Sequence, residues 1–380
     1  MTTRRAFLSG AGAAVAFGSA PRRAVGADAV VVGLVVPGAS AAATAFERGA
    51  LLGLADANAL ASMFGKRLTL EVETAADGAS AAASAAALAR RARALAVVGG
   101  HDFDVAEALG RAADGAVFLN VGSDDDRLRN ERCARPTFHV APSQAMAADG
   151  LVGWLAQRRS VTSWAVVGDG TPRAHALEAA FGRAIARRRG SLASAEMPEA
   201  VHLLALDGAP LRDAVARARA AGRADRVAGL GADVASTSGP EEAAGFWIVG
   251  WHHELERFSG RELNRRFTRR FAAPMDARSW AAWAALKLVG EGVTRAHATD
   301  GAALAGFFLS SPPFDGHKGT ALTFRPWDRQ LRQTLHVLGP RRREDITERR
   351  GPFAVLADVP GPDLDAIGTG QGESRCRLSS

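Results

Sequence analysis

From Asp28 onward the chain alternates short, continuously apolar runs with longer stretches whose apolar residues recur every three or four positions. The run AVVVGLVVPGAS (29–40) has no charged position and breaks at Pro-Gly, the pattern of a strand buried on both faces and followed by a loop. Residues 41–61 repeat Phe46, Gly49 and Leu52 at helical spacing, and KRLTLEVET (66–74) alternates as a strand does. ALAVVGG (94–100) and AVFLNVGS (116–123) read as two more buried strands, with helices over 79–93 and 103–113 between them. Strand–helix order repeated in this way predicts a parallel sheet with helices on both faces. Its ligand crevice should lie beyond the carboxyl ends of the strands.

The segment DDDRLRNERCARPTFHVAPS (124–143) is polar, proline-bearing and long for a connection, and reads as the crossing into a second lobe. The alternation then restarts: a helix over 144–158, the strand SWAVVGDG, a helix over 172–189, a weaker strand near 191–197, a helix over 210–221 and the strand RVAGLGAD. Between 190 and 245 this second lobe looks short, which suggests a reduced sheet. FWIVGWHH (246–253) reads as a strand returning toward the first lobe, and a helix over 276–296 places Trp280, Trp283 and Leu286 on one face. TALTFRPWDRQLRQTLHVLG (320–339) reads as two strands around a turn at 326–328. The tail from Arg341, rich in proline and glycine, is expected to wrap the surface. The chain shows no short internal repeat.

Ahead of this pattern, GAGAAVAFG (10–18) almost spells a dinucleotide-binding glycine loop, but no strand-like run precedes it. Arg4-Arg5, a weakly apolar stretch over 6–20 and Val25-Gly26-Ala27 instead fit an export leader over residues 1–27. Thr3-Arg4-Arg5-Ala6-Phe7-Leu8 resembles the twin-arginine signal, and no cysteine near the cleavage point suggests a lipid anchor. The leader's four arginines supply more than half of the formal net charge of +7. The basic runs Arg187-Arg188-Arg189 and Arg341-Arg342-Arg343 carry no interleaved aromatics on which bases could stack, so a nucleic-acid partner is not expected. Only Lys66, Lys287 and Lys318 among the 47 basic residues are lysine, a bias that reads as genomic composition.

Two cysteines, Cys133 and Cys376, are an even count, which in an exported chain favours a disulfide tying the last residues to the body. Neither has a second thiol or a histidine at metal-ligand spacing. His252 and His253 are adjacent rather than four apart on one helix face, so a zinc-protease reading is set aside. Asp124-Asp125-Asp126 could attract a cation, although an acidic linker is more often solvated. Gly-x-Ser-x-Gly, CxxC and a phosphate-loop lysine are all absent, and the chain is not read as an enzyme. No cofactor is expected.

The stretch FERGALLGLADANALASMFGKRLTLEVETAADG (46–78) resembles the first helix and second strand of type I periplasmic binding proteins of the leucine/isoleucine/valine-binding kind. Gly49, Asn58, Gly65-Lys66 and Asp77-Gly78 stand at the corresponding positions. SWAAWAALKLVGEGV, FRPWDRQLRQTLHVLG and the ending GESRCRL are similar to the branch of that family found with pyrroloquinoline-quinone-dependent alcohol dehydrogenase systems. The resemblance implies an α/β fold of two Rossmann-like lobes with parallel sheets, joined by three crossover segments and closing on a small ligand. It implies lobe 1 over 28–142 with 251–325, lobe 2 over 143–250 with 326–360, and a tail over 361–380. It further implies a periplasmic location, delivery of the ligand to an ABC permease in the inner membrane, and a link to quinoprotein alcohol oxidation. The alternative is a ligand-sensing or partner-binding scaffold. Two departures put α-amino-acid recognition in question: the chain has no tyrosine, and the loop after the third strand reads GGHDFDVAEA in place of the family's Gly-Pro with a following serine.

On that fold the strand ends nominate the site. Ser40, His101 and Ser123 would supply hydrogen bonds, beside the amides of Gly100 and Gly122, or serve only in helix caps and turns. Asp169 would either face the crevice or cap the next helix. Trp251 would either stack over an apolar ligand or pack the hinge core.

Overall fold

The computed structural model describes residues 28–378 apart from 198, 232–238, 240–242 and 348–349, so the leader read over 1–27 lies outside the described residues. In the first lobe five strands, Asp28–Val36 (β1), Lys66–Thr74 (β2), Ala96–Gly99 (β3), Val117–Asn120 (β4) and Thr137–His139 (β5), run parallel in the order β2-β1-β3-β4-β5. Burial on both faces accounts for the apolar runs of β1 and β3, whereas the edge strand β2 alternates with charged residues. Val32 and Leu34 of β1 enter one core with Val98 and Leu119, whereas Val35 enters a second with Val97 and Phe118. Helix Ala41–Ala61 (α1) packs into the first core, and helices Gly78–Arg90 (α2) and Phe103–Ala112 (α3) into the second.

The second lobe holds helices Gln144–Arg159 (α4), Pro172–Arg187 (α5) and Gly208–Ala220 (α6). Its strands are Ser163–Gly168 (β6), Ser191–Leu192 (β7), Val201–Ala205 (β8), Val227–Leu230 (β9) and Phe246–Val249 (β10). The chain then returns to the first lobe for helices Gly260–Phe271 (α7), Ala277–Arg295 (α8) and Gly301–Leu309 (α9), and for the small hairpin Phe314–Asp315 (β11) and Ala321–Leu322 (β12). Leu335–Pro340 (β13) and Phe353–Val359 (β14) finally add two antiparallel strands to the second sheet, ordered β14-β13-β10-β9-β8-β6-β7. The second sheet is therefore the larger of the two, not reduced. The shortness of 190–245 is made good by β8 and by a strand inside the tail, and the strand expected over 191–197 shrinks to two residues.

Helices α1 and α8, far apart in sequence, are pressed together by small residues. A Cβ on Gly49 would stand 2.1 Å from the Ser279 carbonyl oxygen and one on Gly53 2.5 Å from that of Trp283. A Cβ on Gly290 would meet that of Ala57 at 2.6 Å. This contact seats the tryptophan-rich α8 across the first core, where Trp280 and Trp283 are buried.

The chain passes between the lobes three times: after His139, after Val249 and after Leu331. The tail then straddles both. Leu364 enters the first lobe's core, Ile367 enters the second's, and Gly368 donates to Asp149 of α4. Beyond Glu373, which pairs with Arg187, Cys376 is bonded to Cys133 with their Cα atoms 5.6 Å apart, as the cysteine count suggested. Among the described residues no helix is long and apolar enough to cross a membrane.

The disulfide closes a loop spanning 243 residues, for which chain-entropy arguments give about 5 kcal/mol at most. Reduction, or Cys376→Ser, is expected to lower the melting temperature by several degrees while leaving a cooperative transition. An unchanged melting temperature would mean that the tail's noncovalent contacts alone hold it in place.

Candidate functional site

The carboxyl ends of both sheets face one another across a cleft of about 740 Å³, within the range of small-molecule sites. The first lobe contributes the loops after β3 and β4, with His101, Gly122, Ser123 and Asp124. The second contributes Thr171 and Arg173 at the start of α5, Asp207 before α6, and Leu230 at the end of β9. Pro142, Gly250, Trp280 and Leu335 form the hinge-side wall.

Glycine is required where the first lobe's two loops meet. Gly100 has φ +88°, and a Cβ there would stand 3.0 Å from Asn120 Oδ1. A Cβ on Gly122 would stand 2.6 Å from the Gly100 carbonyl oxygen and 2.7 Å from Cζ of Phe46. Asn120, the last residue of β4, shapes the second loop. Its Oδ1 accepts from the amides of Ser123 (3.0 Å) and Gly122 (3.3 Å), and its Nδ2 donates to the Ser123 carbonyl (2.7 Å). The same Nδ2 lies 3.0 Å from His139 Nδ1, which must accept, so the ring is neutral. Burial, aided by the charge of Arg129, pushes the His139 pKa well below its ordinary value. Arg129 is itself buried and ties the loop to the hinge: it donates to the carbonyls of Ser123, Asp125 and Ala141 and to Gln330 Oε1.

The cleft's charges are largely matched within it. Arg173 donates to both carboxylate oxygens of Asp124 across the cleft (2.5 and 2.9 Å) and also to Asp207. Burial alone would raise the Asp124 pKa, but the charge and hydrogen bonds of Arg173 outweigh it and hold the carboxyl below its usual range. Arg127 forms a two-point contact with Asp125 (3.0 and 2.7 Å) and lies 3.6 Å over the Phe103 ring. Asp102 caps α3 through the Val105 amide, and His101 Nε2 lies 3.2 Å from its carboxylate. The hydrogen bond from His101 is the main reason its pKa is lowered. The opposite ring nitrogen of His101, Nδ1, is buried without a partner. The first turns of α3, α5 and α8 all line the cleft.

Of the residues nominated from sequence, His101, Gly122 and Ser123 line the cleft and Gly100 sits directly behind them. Three do not. Ser40 is exposed and its hydroxyl caps α1 by accepting from the Ala43 amide (3.1 Å). Asp169 is exposed, its carboxylate taken up by the amide and hydroxyl of Thr171 (3.1 and 2.8 Å). Trp251 packs the hinge core, stacked on Trp280 with centroids 5.9 Å apart and donating to Asn264 (2.9 Å). The indole on the cleft wall is Trp280 instead. The acidic run 124–126 is not a solvated linker: Asp124, Asp125 and Asp126 pair with Arg173, Arg127 and Arg183. Among the described residues no cluster of three His, Cys, Asp or Glu could hold a metal ion. Arg173 went unrecognised because TPRAHA reads as an ordinary helix start, and its partners lie 49 and 34 residues away.

A family profile described as periplasmic binding protein matches residues 29–201. No curated protein matches the chain by sequence. Among solved structures, a branched-chain amino acid ABC transporter periplasmic ligand-binding protein from Burkholderia xenovorans is 16% identical, with 91% of this chain and 99% of that one covered at a TM-score of 0.79. A Rhodopseudomonas palustris solute-binding protein in complex with benzoate is 15% identical over 92% and 100%, with a TM-score of 0.73. The isoleucine complex of a branched-chain amino acid substrate-binding protein from Streptococcus pneumoniae is 15% identical over 87% and 99%, with a TM-score of 0.69. The fold is that of the type I periplasmic binding proteins, and the matched proteins are binding proteins rather than enzymes.

Asp126 joins the first lobe's loop to the second lobe, accepting from the Ala145 amide and from Arg183 at 3.0 Å each. Burial nevertheless raises its pKa to about 6. The native state thus holds this proton more tightly than the unfolded chain, and the group's contribution to stability falls as pH rises from about 4 to 6. Asp126→Asn keeps an oxygen for Ala145 and is expected to be at least as stable as the parent at pH 7, by up to about 3 kcal/mol. That advantage should vanish near pH 4 in denaturant titrations. A variant less stable at pH 7 than at pH 4, relative to the parent, would show that the Arg183 ion pair outweighs burial.

Proposed function

We propose that this chain is the periplasmic solute-binding component of an ABC transporter, and that its cleft takes a small organic acid with an apolar, preferentially aromatic, body. The observation that carries this reading is the cleft's division of chemistry. The first lobe offers the Ser123 hydroxyl and the first turns of α3 and α8, whose positive ends favour an anionic group. The second lobe adds apolar Leu230 and Ile248 beside Arg173, and Leu335 and Trp280 add apolar surface on the hinge side.

An α-amino acid also needs an anion for its ammonium. Here Asp124 and Asp207 are engaged by Arg173, Asp125 by Arg127, and Asp102 by a helix cap and His101, which leaves Asp104, exposed at the start of α3, as the carboxylate open to an ammonium. An acid without an ammonium group meets no such unmet need. Structural neighbours holding benzoate, 4-hydroxybenzoate and 3,4-dihydroxybenzoic acid support the same class, while the isoleucine complex represents the competing one. The sequence likeness to the quinoprotein-associated branch supplies a chemical context, because alcohol oxidation carried to completion yields carboxylic acids. The leader with Arg4-Arg5 would export the chain already folded. A second reading, a sensing or partner-binding scaffold, draws support from the Arg173–Asp124 pair, which bridges the lobes directly.

Melting temperatures of residues 28–380, oxidised, against aromatic acids, branched-chain amino acids, alcohols, aldehydes and quinone cofactors test the reading. A ligand at a hundred times its Kd adds ~2.7 kcal/mol, a shift of a few degrees. A shift with benzoates and none with leucine or simple alcohols is the expected result. A shift confined to amino acids would replace the acid reading, and a flat panel would favour the scaffold.

A further inference from the structure

Lys318, in the turn between β11 and β12, is 3% exposed, and its ammonium has no carboxylate in contact. It donates instead to the Gly250 carbonyl (2.5 Å), the Thr334 carbonyl (2.9 Å) and Gln333 Oε1 (2.7 Å), and lies 4.0 Å from the centre of the Trp280 ring. Gln333 in turn donates to the Val140 carbonyl (2.7 Å). Val140, Gly250 and Thr334 belong to the three different crossovers between the lobes. Gly250, Trp280 and Leu335, the neighbour of Thr334, are on the cleft wall.

Burying an ammonium is costly, and here Asp358 offsets that cost only from beyond ion-pair distance, so the charge is placed for the crossover acceptors it satisfies. The residue type is informative as well. Three of the 47 basic residues are lysine, and this one sits where three acceptors converge on a single atom. A compact ammonium satisfies that arrangement, and a planar guanidinium does not. We propose that Lys318 is a positioning residue of the cleft, joining the three crossovers at one point and thereby fixing the hinge-side wall against which the solute closes.

The proposal rests on the reading of the cleft as a solute site only for its effect on affinity, and ligand-free measurements test it separately. In Lys318→Met, residue-resolved amide exchange should quicken roughly tenfold or more at 140–141, 249–251 and 333–335, as expected for losing hydrogen bonds to a charged group. Exchange in the two sheets should stay unchanged, the melting temperature should fall by a few degrees as buried acceptors lose their donor, and X-ray scattering should show a broader range of lobe openings. Should the methionine variant fail to fold, Lys318→Gln, which keeps two donor hydrogens on a shorter arm, reads the same contrast. A uniform rise in exchange across both lobes, or crossovers indistinguishable from the parent, would overturn the proposal and leave Lys318 a packing residue. Benzoate titration adds the functional arm, with affinity expected to drop by about tenfold in the variant. Faster exchange at the crossovers in a protein whose parent form ignores benzoate would support the clamp and count against the acid reading alone.

Discussion

The chain crosses between two cores three times with only fragments of sheet to pair its backbone, and buried carbonyls there must find donors elsewhere. Side chains supply them. Gln330 Nε2 reaches the carbonyls of His139 and Ala141, Gln333 reaches Val140, Arg129 reaches Ala141 and Ser123, and Lys318 reaches Gly250 and Thr334. All four residues are buried, which is unusual for their types and follows from this need. The hinge is therefore a packed polar core, in which each donor links one crossover to another or to the cleft.

That construction reaches directly into the site. Arg129 holds the loop carrying Ser123, and Lys318 underlies Trp280, so the cleft's two sides are both referenced to the same hinge. With Asp124, Asp125 and Asp207 already matched by Arg173 and Arg127, the lobes can meet without leaving those charges unpaired. What remains for a ligand is the starts of helices and the apolar surface of Leu230, Ile248, Leu335 and Trp280. A recognition site of that kind suits an anion with a hydrophobic body better than a zwitterion.

The first lobe was largely legible because its apolar runs are bounded by turn residues: α1 begins and ends where the apolar period does, and the apolar runs of β3 and β4 are flanked by helices of clear period. The second lobe was harder. VHLLA (201–205) is too short for periodicity to distinguish strand from helix, and it is nonetheless a central strand. FAVLADV (353–359) lies among prolines and glycines that suggest surface loop, and it forms a strand only because β13 offers it an antiparallel edge. At the site, His101 and Ser123 could be named because each directly follows a buried strand. Ser40 and Asp169 occupy equivalent positions in the text, yet their oxygens are consumed by a cap and a turn. Whether Trp251 or Trp280 would reach the cleft depended on the packing of α8 against α1, which no local pattern encodes.

In the proposed function a small organic acid closes this cleft with its charged end on the first lobe. A crystal structure of residues 28–380 grown with saturating 4-hydroxybenzoate tests it most directly. The prediction is one molecule between the lobes, its carboxylate against the Ser123 hydroxyl and the first turn of α3 and its ring against Trp280, Ile248 and Leu230. A cleft left empty under those conditions, with Arg173 still bridging Asp124 and Asp207, would contradict it.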